Sequence, residues 1–174
     1  MYSLIFAESA IFTIFVVAYV YYTGKSLTGP YPKDVLELPI FASLCLLSSS
    51  ATIHFAIPAL HKGDTRVFGM WWFATLALGT IFLVNTGLEW HHLIYEKGLT
   101  ISTNLFGTTY YSLVGLHAFH VTLGLMGLAL GMIFTLLGKL QQAHAARAHV
   151  FALYWHFVDA VWVVVFTVVY IIGR

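Results

Sequence analysis

An all-α fold, a polytopic membrane helical bundle of five transmembrane helices, is what this sequence predicts, on three observations. Of 174 residues, 60% are hydrophobic and only 9% are charged, against roughly 25% charged residues in soluble domains. The mean hydropathy is +0.85, so the solvent for most of the chain is lipid. Five apolar stretches reach the length of about 20 residues that a helix needs to cross a hydrocarbon core of about 30 Å. A helix satisfies all of its backbone hydrogen bonds internally, which makes it the element that five such stretches can form in lipid.

The stretches follow in order. Residues 3–22 contain one charge, Glu8, and residues 38–60 contain no Asp, Glu, Lys or Arg. Residues 67–88 are also free of them and are bracketed by Arg66 and Glu89. Residues 106–137 have only His117 and His120 as ionisable side chains apart from tyrosines, and exceed one span, so tilt or protrusion is expected. Residues 150–172 contain His156 and Asp159. The connections are short and polar. Gly29-Pro30-Tyr31-Pro32 is a turn-forming cluster that cannot continue a helix. His61-Lys62-Gly63-Asp64, Glu96-Lys97-Gly98 and the stretch 139–148 make the other turns. No repeat, low-complexity tract or second domain interrupts residues 1–174, which read as a single membrane domain.

Composition also excludes function classes. A net charge of +1 argues against a nucleic-acid or acidic partner. The one cysteine, Cys45, rules out an internal disulfide framework or thiolate metal cage and reads as a small buried side chain. The first apolar segment begins almost at Met1, lacks a basic leader and is too long for a signal peptide. Phosphate loop, nucleophile elbow, His-Glu-x-x-His and Rossmann glycine pattern are all missing. Lys62, Arg66, Lys139 and Arg147 fall on the side of the N-terminus, and Lys25, Lys33, Lys97 and Arg174 on the other, so basic side chains tie. His61, His144 and His149 tip the orientation towards a cytoplasmic N-terminus, where they could also assist proton uptake.

Ionisable groups at membrane depth are costly and mark candidate sites. Glu8 reads either as a lipid-contacting or proton-titrating carboxylate or as one hydrogen-bonded to a neighbouring helix. His156 and Asp159, three residues apart, share a helix face and read as a structural polar pair. His117 and His120 also share a face. Metal ligation there would need further ligands, and the Glu-x-x-His motifs of di-iron bundles are absent. Packed, hydrogen-bonded histidines are the expectation, with no metal site. Glu89 and Trp90 at the end of the third helix suit an aromatic belt; Trp155 and Trp162 are assigned to the interface as well. Gly127 and Gly131 form a GxxxG that lets another helix approach closely.

The run Tyr154-Trp155-His156-Phe157-Val158-Asp159-Ala160-Val161-Trp162 resembles the Y-W-H-F-V-D-x-V-W signature of cytochrome oxidase subunit III. Gly115-Leu116-His117-Ala118-Phe119-His120-Val121 is similar to that family's G-F-H-G-x-H-V. Leu99-Thr100-Ile101-Ser102, Gly63-Asp64 and Pro30-Tyr31-Pro32 agree too, and Glu8 falls where the family keeps a buried glutamate. The likeness covers essentially the whole chain and matches the five-helix bacterial form. Departures are His149 where relatives often carry glutamate, Ile57-Pro58 where they show a His-His pair, and Phe134 in place of a basic residue.

The resemblance implies an accessory, non-redox subunit of a proton-pumping haem–copper terminal oxidase of the bacterial inner membrane, reducing oxygen to water. It implies partners in subunits I and II, which hold the haem and copper, with no cofactor in this chain, bound phospholipids, and membership of a respiratory complex or larger supercomplex. By position, Glu8 would lie in a lipid cleft. His117, His120, His156 and Asp159 would form a structural, lipid-associated network supporting proton uptake and turnover stability. Alternatives are an accessory protein of a nitric oxide reductase, a free-standing proton-coupled transporter using Glu8 and Asp159, and a haem-binding cytochrome, which lacks ligand spacing.

Overall fold

A computed structural model describes residues 2–27 and 29–173, with side chains from Ser3 onward. Arg174, counted above among the basic side chains, lies outside the described residues. The elements in chain order are α1 (Tyr2–Tyr22), a single turn α2 (Pro32–Val35), α3 (Ile40–His61), α4 (Thr65–Tyr95), α5 (Leu105–Leu136) and α6 (Ala145–Phe166). A 3₁₀ turn, Gln142–His144, leads into α6, and a π-helical stretch, Thr167–Ile172, continues it. No strand occurs among the described residues. Five helices, all but α2, are long and apolar enough to cross a membrane, the last of them counted from Gln142 to Ile172.

The helix ends follow from local chemistry. Asn104 caps α5, its Oδ1 accepting the Gly107 N–H at 2.8 Å, and Asp64 caps α4 by accepting the Val67 N–H at 3.0 Å. Within three residues of their ends, α1, α3, α4 and α5 meet Gly24, Gly63, Gly98 and Gly138, all at positive φ, a backbone conformation strained for residues with a side chain. Two boundaries differ from expectation. The third span runs on to Tyr95, because nothing before Gly98 breaks it, so Glu89-Trp90-His91-His92 is helical rather than terminal. The short α2, not among the expected helices, starts at Pro32, a first helical position where a missing N–H costs nothing.

The chain packs as two compact units. The first gathers the described residues within 1–39, 85–119 and 160–174; the second comprises 40–84 and 120–159.

In the first unit the connection after α1 is tied to the start of α5. The Phe106 N–H donates to Ser26 Oγ and Asn104 Nδ2 to the Pro30 carbonyl, both at 3.0 Å. Tyr19, 2% exposed, lies against Gly173, where an added Cβ would stand 2.6 Å from the phenol ring.

In the second unit large rings sit on glycines. The Trp155 indole lies against Gly79 of α4 and Gly124 of α5, and a Cβ at either would come within 2.8 Å of it. Its Nε1 donates to Ser49 Oγ of α3 at 2.8 Å, so one tryptophan joins four helices. Trp72 Nε1 donates to the Leu128 carbonyl at 2.8 Å. Gly127 and Gly131 face Phe151 and Trp72, at 2.7 and 3.0 Å from a notional Cβ. The GxxxG therefore makes room for aromatic side chains, not for a bare helix backbone. Lipid gives helices no hydrophobic reason to associate, so such close packing and these interhelical hydrogen bonds are what hold them.

Candidate functional site

Three polar constellations stand out. The first, in the second unit, is built around Asp159, which is 3% exposed. Ser50 Oγ of α3 is hydrogen-bonded to Asp159 Oδ2 and lies 3.0 Å from His156 Nδ1. Asp159 and His156, expected to pair, meet through this serine. The other carboxylate oxygen, Oδ1, is buried and makes no hydrogen bond. Sequence reasoning missed Ser50. The signal was present in Ser48-Ser49-Ser50, three hydroxyls in succession within a span free of Asp, Glu, Lys and Arg.

The second constellation, in the first unit, centres on Glu89, which is half-buried. Its Oε1 accepts hydrogen bonds from Tyr170 at 2.9 Å and Tyr110 at 3.3 Å, and the two phenols lie 3.3 Å apart. Tyr110 and Tyr170 are 0% and 2% exposed. The sequence suits Glu89 to the membrane interface; the phenols draw its carboxylate into the packing. Trp90 beside it is half-buried, its ring edge-on to Tyr111 at 5.4 Å between centroids.

His117, fully buried, stacks on Trp162 at 4.9 Å between centroids and meets the edge of Phe12 at 6.5 Å. His120 is 6% exposed in the second unit, where its carbonyl accepts the Tyr154 hydroxyl at 3.1 Å. Glu8 is half-buried on α1. Its neighbours Ser9 and Thr13 donate to the carbonyls of Ile5 and Ser9 in their own helix, both at 2.7 Å. Trp155 and Trp162, assigned to the interface from sequence, are only 1% and 2% exposed. They are core residues, because glycines and a histidine leave ring-sized spaces for them.

The third feature is a cavity of about 390 Å³ in the second unit. Its walls are apolar and aromatic, formed by Phe68, Trp72, Leu130, Phe134 and Phe151, and its polar margin carries Lys139, His144 and Arg147. Phe134, where relatives often have a basic residue, is one of the walls; the positive charge comes from the α5–α6 connection and the first turn of α6. Among the described residues no group of three or more His, Cys, Asp or Glu is placed to hold a metal ion.

Comparison with known proteins places this geometry. The family model for cytochrome c oxidase subunit III matches residues 4–174. The chain belongs to the cytochrome c oxidase subunit III family. It is 34% identical over 168 residues to cytochrome c oxidase subunit 3 of Alkalihalophilus pseudofirmus, covering 95% of this chain and 82% of that protein. It is 39% identical over 175 residues to the cytochrome c oxidase subunit 3 of Synechocystis sp., covering 95% and 71%. To that of Bacillus sp. strain PS3 it is 33% identical over 168 residues, covering 95% and 81%. Subunit III family membership makes the chain a membrane-embedded part of a terminal oxidase that associates with other oxidase subunits.

Proposed function

We propose that this chain is the accessory, non-redox subunit III of a proton-pumping haem–copper oxidase of a bacterial inner membrane, with its N-terminus cytoplasmic. In this reading haem and copper reside in subunits I and II, and oxygen is reduced to water there. The chain packs on subunit I, holds phospholipid, and by doing so supports proton uptake and prolongs the active life of the complex.

The observation that carries the lipid role is the cavity under Lys139 and Arg147. A phospholipid is an acyl chain joined to a phosphate. The cavity offers aromatic and aliphatic walls to the first and two permanent positive charges, Lys139 and Arg147, together with His144, to the second. Its volume lies within the roughly 300–1,000 Å³ range of ligand pockets. It also sits at the end of α5, where a headgroup would lie at the membrane surface. The sequence had pointed to Glu8, His117 and His120 for lipid contact. His117 is packed between aromatic rings, and the cavity margin is the better-suited headgroup site.

The test is to purify the oxidase through a tag on this chain, and to compare it with a Lys139→Glu/Arg147→Glu variant. The expected result is oxidase-type haem in both complexes by optical spectrum. The variant is expected to contain less co-purified anionic phospholipid by mass spectrometry and to inactivate faster during turnover. Equal lipid content and lifetime would overturn the lipid role; absence of haem from the complex would overturn the accessory role.

A further inference from the structure

We infer that Asp159, Ser50 and His156 form a single proton-sharing site, in which the Ser50 hydroxyl passes a proton between the carboxyl group and the imidazole. The argument is an accounting of hydrogens. A serine hydroxyl carries one hydrogen and two lone pairs. Ser50 Oγ lies within bonding distance of Asp159 Oδ2 and of His156 Nδ1 at once. It can donate to only one of them and must accept from the other. Two arrangements satisfy all three groups. In one, Ser50 donates to the Asp159 carboxylate and accepts from a protonated His156 Nδ1. In the other, Asp159 is a carboxylic acid donating to Ser50, which donates to the bare Nδ1.

The step between them balances. The Asp159 O–H bond breaks as a new O–H forms on Ser50, and the original Ser50 O–H breaks as an N–H forms on His156. Carboxylic acid plus imidazole becomes carboxylate plus imidazolium; one proton has moved and nothing is oxidised or reduced.

The uncharged arrangement is the resting one. Asp159 is 3% exposed and its Oδ1 has no donor. A full negative charge on an oxygen without a donor, at membrane depth, costs far more than a neutral carbonyl oxygen left without one. His156 is only half-buried, so the imidazole is the end through which the proton exchanges with the surroundings. His54 of α3 and His149 of α6 are the other titratable side chains acting on that ring. Within this unit α4 adds only Arg66 near its start and α5 only His120, besides tyrosine-free apolar sequence. The permanent cations on this unit's helices, Arg66 of α4 and Arg147 of α6, stand in the first turn of each, and Arg147 precedes Asp159 by about 18 Å of helix, too far to neutralise an Asp159 carboxylate.

The test uses infrared spectroscopy of the purified oxidase complex containing this chain. A carboxylic C=O stretching band is expected that disappears in Asp159→Asn. On transfer to deuterium oxide the band is expected to shift as its proton exchanges. In Ser50→Ala that exchange should slow by about tenfold or more, since each lost tenfold corresponds to only a small rise in barrier, while Ser50→Thr should restore it. Should Ser50→Ala fail to assemble, Ser50→Cys, with a weak S–H donor in similar space, gives the same slowing. A complex without the Asp159-dependent band, or exchange as fast in Ser50→Ala or Ser50→Cys as in the parent, overturns the proposal. Slow exchange in Ser50→Thr overturns it as well.

Discussion

The two units solve the same problem in different ways. Each brings hydroxyl groups from other parts of the chain to a carboxyl group on a membrane-spanning helix. Glu89 in the first unit receives two phenols, Tyr110 from α5 and Tyr170 from the π-helical end of α6, on a single oxygen. Asp159 in the second receives one serine, which must also serve His156, and keeps one oxygen without a donor. Two donors on one oxygen favour a fixed arrangement. A donor shared with an imidazole leaves two arrangements of similar connectivity. The difference teaches that a buried acid in this family member is defined by its count of donors, not by its depth. The packing differs in parallel: the second unit seats indoles on glycines, while the first ties a loop to a helix start through Ser26 and Asn104.

The largest effect is expected from the ring that joins the second unit. Trp155→Ala removes the indole lying against Gly79 and Gly124 and leaves Ser49 without its donor. The expected loss is about 3–5 kcal/mol, the range for buried aromatic truncations. Thermal denaturation of the purified complex, followed through this subunit's dissociation, should show it as a large fall in midpoint. Gly124→Ala acts at the same contact from the other side, by overpacking it at a cost of about 1–3 kcal/mol. If either substitution were neutral, the seating of rings on glycines would not be what holds this unit.

How much of this was legible in the sequence depends on which interaction is asked about. The five spans were readable because hydropathy reports on solvent, and every residue in a span contributes to it. Their ends were less so: α4 reaches Tyr95 because charged and aromatic residues near a membrane surface are compatible with helix and solvent alike, and only Gly98 stops it. The roles of Trp155 and Trp162 were misread, since a tryptophan suits both an interface and a core, and the glycines that decide between them lie on other helices. Ser50 was missed for a related reason. It stands 106 residues from His156, and a hydroxyl becomes informative only when the fold shows what lies opposite it. Tyr110 and Tyr170 were silent likewise, because tyrosine is common near membrane surfaces and their shared partner is Glu89.

The comparison of the two acids is sharpened by removing each one. Glu89→Ala leaves the Tyr110 and Tyr170 hydroxyls, both buried, with only each other at 3.3 Å. Asp159→Ala leaves Ser50 with its hydrogen bond to His156 Nδ1 at 3.0 Å. The expected loss is about 1–3 kcal/mol for Glu89→Ala, the cost of stranding buried polar groups, with a smaller loss for Asp159→Ala. The yield of assembled complex and the dissociation midpoint of this subunit would rank the two. A reversed order would mean that Asp159 has a partner which the Ser50 bridge does not describe.

The finest test is Tyr170→Phe, which removes one oxygen and keeps the ring. Glu89 then retains Tyr110, whose hydroxyl at 3.3 Å is the longer of its two bonds and has room to close on the carboxylate. The lost bond is one of two on the same oxygen, and a typical net contribution is about 0.5–1.5 kcal/mol. A single spare donor should hold the loss near the lower end of that range, visible only as a small shift in the dissociation midpoint. Ser50→Ala removes the one side chain hydrogen-bonded to Asp159, and so should shift the midpoint more than Tyr170→Phe does. Equal shifts would show that the second phenol is not redundant, and that both units hold their acids with the same minimal number of donors.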